Sequence, residues 1–99
     1  MKKVVLLCAG GASTGMFVKK LNQESEKKNL GYKFAAHGVA EAHTVAADAN
    51  AVLLGPQVSY QLDKVRGDVP GVPVEAINMM DYGMMNVANV MKQVTRLAG

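Results

Sequence analysis

Four short apolar runs alternate with longer helical stretches along this chain. The runs that we predict as strands are Lys3–Leu7, Tyr32–Ala36, Ala51–Leu54 and Val72–Ile77. Apolar runs of this length are typical of strands that are buried on both faces of a sheet. Strands and helices in alternation favour a parallel sheet with right-handed crossovers. We therefore predict an α/β fold of three layers, in which a four-stranded parallel sheet carries helices on both faces.

The stretches between and after these strands are predicted as helices. They run from Ser13 or Thr14 to about Asn29, from Val39 to Ala47, from Val58 to Arg66, and from Asn78 or Asp81 to the end of the chain. A hydroxyl of Ser13 or Thr14 is a good cap for the first helix, because it can accept a hydrogen bond from a free backbone N–H. The last helix has the clearest helical spacing of apolar residues. These residues are Val87, Val90, Met91, Val94, Leu97 and Ala98.

Size and composition limit the class of protein. A chain of 99 residues has the size of one domain, so residues 1–99 are predicted to form a single domain. One cysteine cannot form an internal disulfide, and no apolar run has the length of a membrane span or of a signal peptide. We therefore expect a cytoplasmic, reduced protein. The net charge of +3, with three tyrosines and two phenylalanines, gives little support to nucleic-acid binding.

The one cysteine, Cys8, stands where the first predicted strand meets a loop of small residues that opens a helix. N–H groups at a helix start lack partners within the helix and carry partial positive charge, so they attract anions. The same field favours the thiolate form of a nearby cysteine. We predict that Cys8 is the catalytic nucleophile.

Phosphate is the anion that suits this loop. Backbone N–H groups would point at a group carried on Cys8, while glycines permit unusual backbone angles and a close approach. The loop contains no Lys or Arg, so dipoles and hydroxyls would hold the phosphate. The predicted phosphate-binding residues are Gly10, Gly11, Ala12, Ser13, Thr14 and Gly15.

Three more loops leave the carboxyl ends of the predicted strands, which is where parallel sheets bind ligands. They are His37–Gly38, Gly55–Gln57 and Asn78–Gly83. Gln57 can offer its amide to the phosphate or a partner, or cap its own loop. Asp81 is predicted mainly as a helix cap, because a carboxylate beside a phosphate dianion is repulsive. Tyr82 is expected near the loop without a chemical role, and His37 and His43 are interpreted as surface or structural residues.

Five methionines stand in the C-terminal part of the chain, and we predict that most of them fill gaps in the core. They are Met79, Met80, Met84, Met85 and Met91. Those near the fourth loop, if exposed, would form an adaptable docking surface for two different partners. No metal or cofactor is predicted.

Three segments resemble those of the lactose/cellobiose-type IIB components of the bacterial phosphoenolpyruvate-dependent sugar phosphotransferase system. They are residues 3–14, 53–58 and 80–83, in the order of the family, and the resemblance covers essentially the whole chain. It implies that a phosphohistidine on the IIA partner donates its phosphoryl group to Cys8. Phosphocysteine then donates to a sugar entering through the IIC membrane permease, which implies transient work at the inner face of the cell membrane. β-Linked disaccharides such as cellobiose, chitobiose or lactose are the implied sugars.

Two alternatives share the same cysteine loop. A regulatory domain that senses phosphorylation would not pass the group onward. A low-molecular-weight tyrosine phosphatase has a similar strand, loop and helix, so we predict a related fold. Its loop, however, carries an Arg six residues after the cysteine to clamp the transition state, and that position is Thr14 here. We therefore expect poor hydrolysis and a phosphocysteine that survives until an acceptor arrives.

Overall fold

The computed structural model describes residues 1–9 and 12–99, and for residues 12 and 13 the backbone alone. Its strands are β1 (Lys2–Cys8), β2 (Tyr32–Gly38), β3 (Ala51–Leu54) and β4 (Val74–Ala76). Its helices are α1 (Ala12–Lys27), α2 (Ala42–Val45), α3 (Leu62–Asp68), α4 (Met79–Gly83) and α5 (Val87–Ala98). Short 3-10 segments, Val39–Glu41 and Pro56–Gln61, lead into α2 and α3.

The four strands form one parallel sheet in the order β2-β1-β3-β4, as the alternating pattern predicted. β1 pairs with β2 from Lys2 opposite Tyr32, and β1 pairs with β3 from Val4 opposite Ala51. Because the chain moves outward from β1 in one direction and from β3 in the other, the sheet has its topological switch point between these two central strands. Ligands of open α/β sheets bind at the carboxyl ends of the strands beside such a point.

Alternating residues of the central strands build two separate cores. Val4 and Leu6 pack with α1 and α5 on one face of the sheet, called here the α1/α5 face. Val5 and Leu7 pack with α2 and α3 on the other, called the α2/α3 face. All four side chains are at most 1 % exposed. Both sides of β1 are therefore buried, which explains its continuous apolar sequence.

The last predicted helix is two helices in the structure. α4 ends at Gly83, and α5 starts afresh at Val87, capped by Asn86, whose side chain accepts a hydrogen bond from the Asn89 N–H. Between them Met85 has a φ of 49°, in the left-handed region that ends helices. A methionine in this conformation is not a sequence signal for a helix end, and the apolar spacing that predicted the helix, from Val87 to Ala98, lies entirely within α5.

The second and third predicted helices are also shorter than expected. Each opens as a 3-10 segment, and the α-helical parts are Ala42–Val45 and Leu62–Asp68. β4 is also shorter than predicted and spans Val74–Ala76. α2 and α3 pack against the sheet on one side only, and alanines and valines supply most of their buried contacts.

Side chains of α1 occupy the outer edge of β2. Asn22 accepts a hydrogen bond from the N–H of Phe34 and donates one to its carbonyl. Ser25 does the same for Tyr32, at 3.0 and 2.9 Å. Backbone groups at a sheet edge otherwise lack partners. Two polar residues of one helix thus satisfy four backbone groups of the edge strand.

Candidate active site

Cys8 is the last residue of β1, at the carboxyl end of a central strand. It is 6 % exposed, so little of it reaches solvent. The register pairs Cys8 with Gly38 of β2. The thiol donates to the carbonyl oxygen of His37, with 3.9 Å between Sγ and that oxygen. Neighbouring backbone therefore holds this side chain at the edge where the strands end.

The Cys8 side chain belongs to the α1/α5 face. Val4 and Leu6 pack in the core of that face, and residues two apart along a strand point to the same side. α1 begins at Ala12, a few residues after Cys8. Strand alternation therefore directs the thiol toward the layer that contains the start of α1, and this placement fits the predicted nucleophile.

The first turn of α1 offers backbone donors near this strand end. Helix starts leave about four N–H groups without partners inside the helix, and here the turn comprises residues 12–15. The prediction that Ser13 or Thr14 caps the helix is wrong, because both lie inside it. Gly10 and Gly11, two of the predicted phosphate-binding residues, lie outside the described residues. So do the side chains of Ala12 and Ser13.

Gly15 adopts helical geometry and has no positive φ. The expectation of an unusual backbone angle at this glycine is therefore wrong. Among the described residues, a Cβ added there would meet no atom within 4 Å apart from its chain neighbours and the backbone of its own helix. The missing side chain leaves open space beside the first turn of α1, which is compatible with the close approach that the sequence suggested.

Thr14 is 1 % exposed, and its side chain points into the protein. Its hydroxyl lies 2.5 Å from the hydroxyl of Tyr82 in α4, and either oxygen can be the donor. The Tyr82 ring also packs edge-on against Phe17 of α1, with 5.7 Å between the ring centroids. Sequence reasoning placed Tyr82 near the loop but missed this link, because no local pattern connects residues 68 positions apart.

The loop after β3 joins the same group of contacts. The N–H of Gly55 donates to the carbonyl of Leu7, the residue before Cys8, at 2.9 Å. A Cβ at Gly55 would lie 3.2 Å from Gln57 Oε1 and 3.6 Å from Cε2 of Tyr82. Gly55 thus lets both side chains come close to the strand end. Gln57 remains exposed, so its amide is accessible to a ligand or partner.

Asp81 is not a helix cap. Asn78 caps α4, since its side chain accepts hydrogen bonds from the N–H groups of Met80 and Asp81. Asp81 Oδ1 accepts from Asn89 Nδ2 at 3.0 Å and lines a groove of about 710 Å³ between Pro56 and α5. Its carboxylate is thus engaged with α5. The prediction failed because Asn78 and Asp81 are both good caps and the helix starts at the earlier one.

Neither histidine side chain is brought to the cysteine by a described contact. His37 pairs with Leu7, which packs on the α2/α3 face, so strand alternation directs its imidazole to the side opposite Cys8. Only its backbone carbonyl reaches the thiol. His43 is exposed on α2. Both positions agree with the surface or structural interpretation.

The methionines divide between core and surface. Met91 is 7 % exposed and packs in the core, and Met85 packs against that core. Met79, Met80 and Met84 are 71–75 % exposed. The prediction that most of the five fill the core is therefore wrong for these three, all of them on or just after α4. These exposed methionines are therefore available to form the adaptable docking surface that was predicted beside the fourth loop.

Shifted carboxyl pKa values occur elsewhere in the molecule. The hydrogen bond from Lys3 and its charge hold the pKa of Asp48 below the ordinary value, at the opposite end of β1 from Cys8. A hydrogen bond from Arg96 lowers the pKa of Glu75 on β4. Within residues 1–9 and 12–99, no group of three or more acidic, histidine or cysteine side chains is placed to hold a metal ion. No helix in the described part is long and apolar enough to cross a membrane.

Comparison with known proteins identifies relatives over the whole chain. The family described as "PTS system, Lactose/Cellobiose specific IIB subunit" matches residues 3–93. The galactose-specific EIIB component of the PTS system from Lactococcus lactis subsp. cremoris is 32% identical over 97% of this chain and 95% of its own length. The cellobiose-specific EIIB component from Lactococcus lactis subsp. lactis has the same identity and the same coverage of both chains.

A solved structure and a larger relative extend this picture. The lactose-specific IIB component domain from Streptococcus pneumoniae has a TM-score of 0.87, covering 99% of this chain and 98% of that one. It is 17% identical and so bears on the fold alone. The lactose-specific EIICB component of Lactococcus lactis subsp. lactis is 27% identical over 75% of this chain, which spans 13% of that protein. The relation to low-molecular-weight tyrosine phosphatases stays a prediction.

Proposed function

This chain belongs to the lactose/cellobiose-specific IIB family of the phosphotransferase system, whose members are phosphotransferases, and we propose that Cys8 carries the phosphoryl group. The observation that carries the proposal is the position of Cys8 in the fold. The thiol ends a central strand, faces the layer of α1, and lies beside the topological switch point. Open α/β sheets bind ligands at this place.

The transfer consists of two displacements at phosphorus. The Cys8 thiolate attacks the phosphoryl group of a phosphohistidine on the IIA protein, so the P–N bond breaks and an S–P bond forms. A sugar hydroxyl then attacks the same phosphorus and gives its proton to water, so an O–P bond forms, the S–P bond breaks, and Cys8 leaves as the thiolate. Phosphoryl transfer depends mainly on positioning and on stabilisation of the equatorial oxygens. The free N–H groups of the first turn of α1 are the donors that we assign to those oxygens.

The absence of Lys and Arg from residues 8–15 suits a carrier. A phosphatase loop uses an Arg to stabilise the transition state of hydrolysis. The corresponding residue, Thr14, is buried, and its hydroxyl is bonded to Tyr82. It brings no positive charge to the phosphate. Slow hydrolysis lets phosphocysteine persist until the sugar arrives, which favours the carrier over the phosphatase.

The partners that we propose are the IIA phosphohistidine protein and the IIC permease. EIICB relatives support the IIC partner, because their names join the two components in one protein. Both partners must reach Cys8, so both dock at the carboxyl edge of the sheet. The exposed Met79, Met80 and Met84 supply flexible apolar contacts there. The protein works in the cytoplasm and meets IIC transiently at the inner face of the membrane, and the sugar is a β-linked disaccharide.

The test begins with intact-mass and peptide analysis after incubation with phosphorylated IIA protein. We expect one phosphoryl group, on Cys8, and none on Cys8→Ser, whose fold is checked by circular dichroism. Membranes that contain IIC and a β-linked disaccharide are then added, and sugar phosphate should form. A protein that accepts phosphate but never passes it on would be a regulatory domain. One that releases inorganic phosphate rapidly would be a phosphatase, and an unmodified Cys8 would refute the proposal.

A further inference from the structure

Tyr82 makes contacts with the segments that surround the candidate nucleophile. It comes from α4, and its hydroxyl lies 2.5 Å from that of Thr14 in the first turn of α1. Its ring packs edge-on against Phe17, one turn further along the same helix. The ring also lies against Gly55, whose N–H donates to the carbonyl of Leu7 just before Cys8. One side chain thus links the start of α1 to the loop after β3, and that loop is in turn bonded to the end of β1.

This link controls the orientation of the helix start. Thr14 is 1 % exposed, and a buried hydroxyl without its partner is costly. The bond to Tyr82 therefore favours one position of the first turn, while the contact with Phe17 opposes rotation of α1 about its axis. The free N–H groups of that turn are aimed by the same constraint, because they belong to the same rigid turn.

We infer that Tyr82 is a positioning residue for phosphoryl transfer: its hydroxyl, through Thr14, holds the first turn of α1 where its N–H groups meet the phosphoryl group and the thiolate of Cys8. This inference rests on the proposed function. Tyr82 does not touch the reacting atoms in this arrangement. It acts by keeping the dipoles in place before the reaction, which spares their reorganisation during transfer.

The chain contains a matched control. Both tyrosines pack on the α1/α5 face, Tyr32 buried and Tyr82 partly buried, and the Tyr32 hydroxyl lies 3.5 Å from the hydroxyl of a threonine, Thr95. That pair joins β2 to α5 at the other end of the sheet from Cys8. Tyr82→Phe and Tyr32→Phe each remove one tyrosine hydroxyl and keep the ring. Any effect specific to Tyr82 therefore reports on its position rather than on loss of a tyrosine hydroxyl that contacts a threonine in general.

The first readout does not need phosphate. We expect the pH midpoint for alkylation of Cys8 to rise in Tyr82→Phe, because misplaced N–H groups stabilise the thiolate less. The midpoint should stay at the wild-type value in Tyr32→Phe. Thr14→Val should shift it as Tyr82→Phe does, and the double variant should shift it no further, since the two hydroxyls act as one unit. Equal midpoints in the wild type, Tyr82→Phe, Thr14→Val and the double variant would overturn the inference, and so would additive shifts.

The second readout is single-turnover transfer from phosphorylated IIA. Tyr82→Phe should lower the rate constant at saturating donor by about three- to tenfold, the effect of one lost hydrogen bond, with the half-saturating donor concentration unchanged. Tyr32→Phe should transfer at the wild-type rate. A change in half-saturation alone would contradict the positioning role. If the wild-type protein is never phosphorylated, the proposed function fails, and the alkylation profiles still decide whether Tyr82 positions the helix start.

Discussion

The two faces of the sheet are built from the same strands but from different kinds of residue. The core of the α1/α5 face contains Phe17, Tyr32 and Phe34, and polar side chains of α1 make specific hydrogen bonds beside it. The core of the α2/α3 face consists of alanines, valines and leucines under two short helices. Cys8 points to the first of these faces. Directional contacts therefore join the layers on the face toward which Cys8 points, while nonspecific apolar burial covers the other face.

The largest change in stability is expected when either of two neighbouring leucines of β3 is replaced. Leu53 packs in the core of the α1/α5 face and Leu54 in that of the α2/α3 face, and both are 0 % exposed. Substitution of either by alanine should lower the free energy of unfolding by about 2–5 kcal/mol. We expect the larger loss for Leu53→Ala, because aromatic neighbours held by directional contacts collapse less readily into the cavity. Urea unfolding measures both free energies. An equal or larger loss for Leu54→Ala would contradict the proposed difference between the two cores.

A smaller effect concerns two helical glycines, one on each face. In the part of the chain that the structure describes, a Cβ at Gly15 in α1 or at Gly67 in α3 would meet no atom within 4 Å beyond its chain neighbours and its own helix backbone. Alanine at either position should stabilise the protein by about 0.5–1 kcal/mol, because glycine loses more conformational freedom in a helix.

The two glycine variants should differ in the rate at which they accept a phosphoryl group. Gly15→Ala places a methyl group in the open space beside the candidate phosphate site, so it should slow transfer from phosphorylated IIA. Gly67→Ala should transfer at the wild-type rate. Thermal unfolding gives the stabilities and single-turnover transfer gives the rates. Normal transfer by Gly15→Ala would mean that neither phosphate nor partner approaches this glycine closely.

The smallest expected effect is ionic and depends on pH. Arg96 donates two hydrogen bonds to Glu75, and these bonds lower the pKa of Glu75 below its ordinary value of 4.5. Because the folded state favours the ionised carboxylate, the ion pair stabilises the folded protein fully at pH values above 4.5. The contribution is lost as the pH falls through the lowered pKa. Glu75→Gln should therefore have a lower Tm than the wild type at pH 7, and the difference should shrink in more acidic buffer.

The pair between Lys3 and Asp48 is the control for that experiment. It joins β1 to the loop after α2, and its carboxylate is 76 % exposed. We expect Asp48→Asn to change Tm less than Glu75→Gln at pH 7, because solvent screens exposed charges. A larger change for Asp48→Asn would show that ionic contacts do not follow the division between the two faces.

Much of the fold was predictable because it follows from local patterns. β3 was predicted to the residue, and β1 to within one residue at each end, since buried parallel strands read as continuous apolar runs. The break between α4 and α5 was missed because Met85 adopts a conformation that its residue type does not signal. The sequence placed Cys8 at a strand end and α1 after it. It did not connect Thr14 to Tyr82, because that contact depends on the tertiary packing of α4 against α1.

The hydrogen bonds from Asn22 and Ser25 to β2 bear on how the protein behaves at high concentration. An open strand edge recruits strands from other molecules, and such growth leads to fibrous aggregates. Here Tyr32 and Phe34 of the edge strand β2 already have their outward bonds filled from within. A second molecule would have to displace two side chains before it could extend the sheet there. Other molecules are therefore less able to bind along the β2 edge. Brief, reversible contacts with partners can take place at the carboxyl ends of the strands instead.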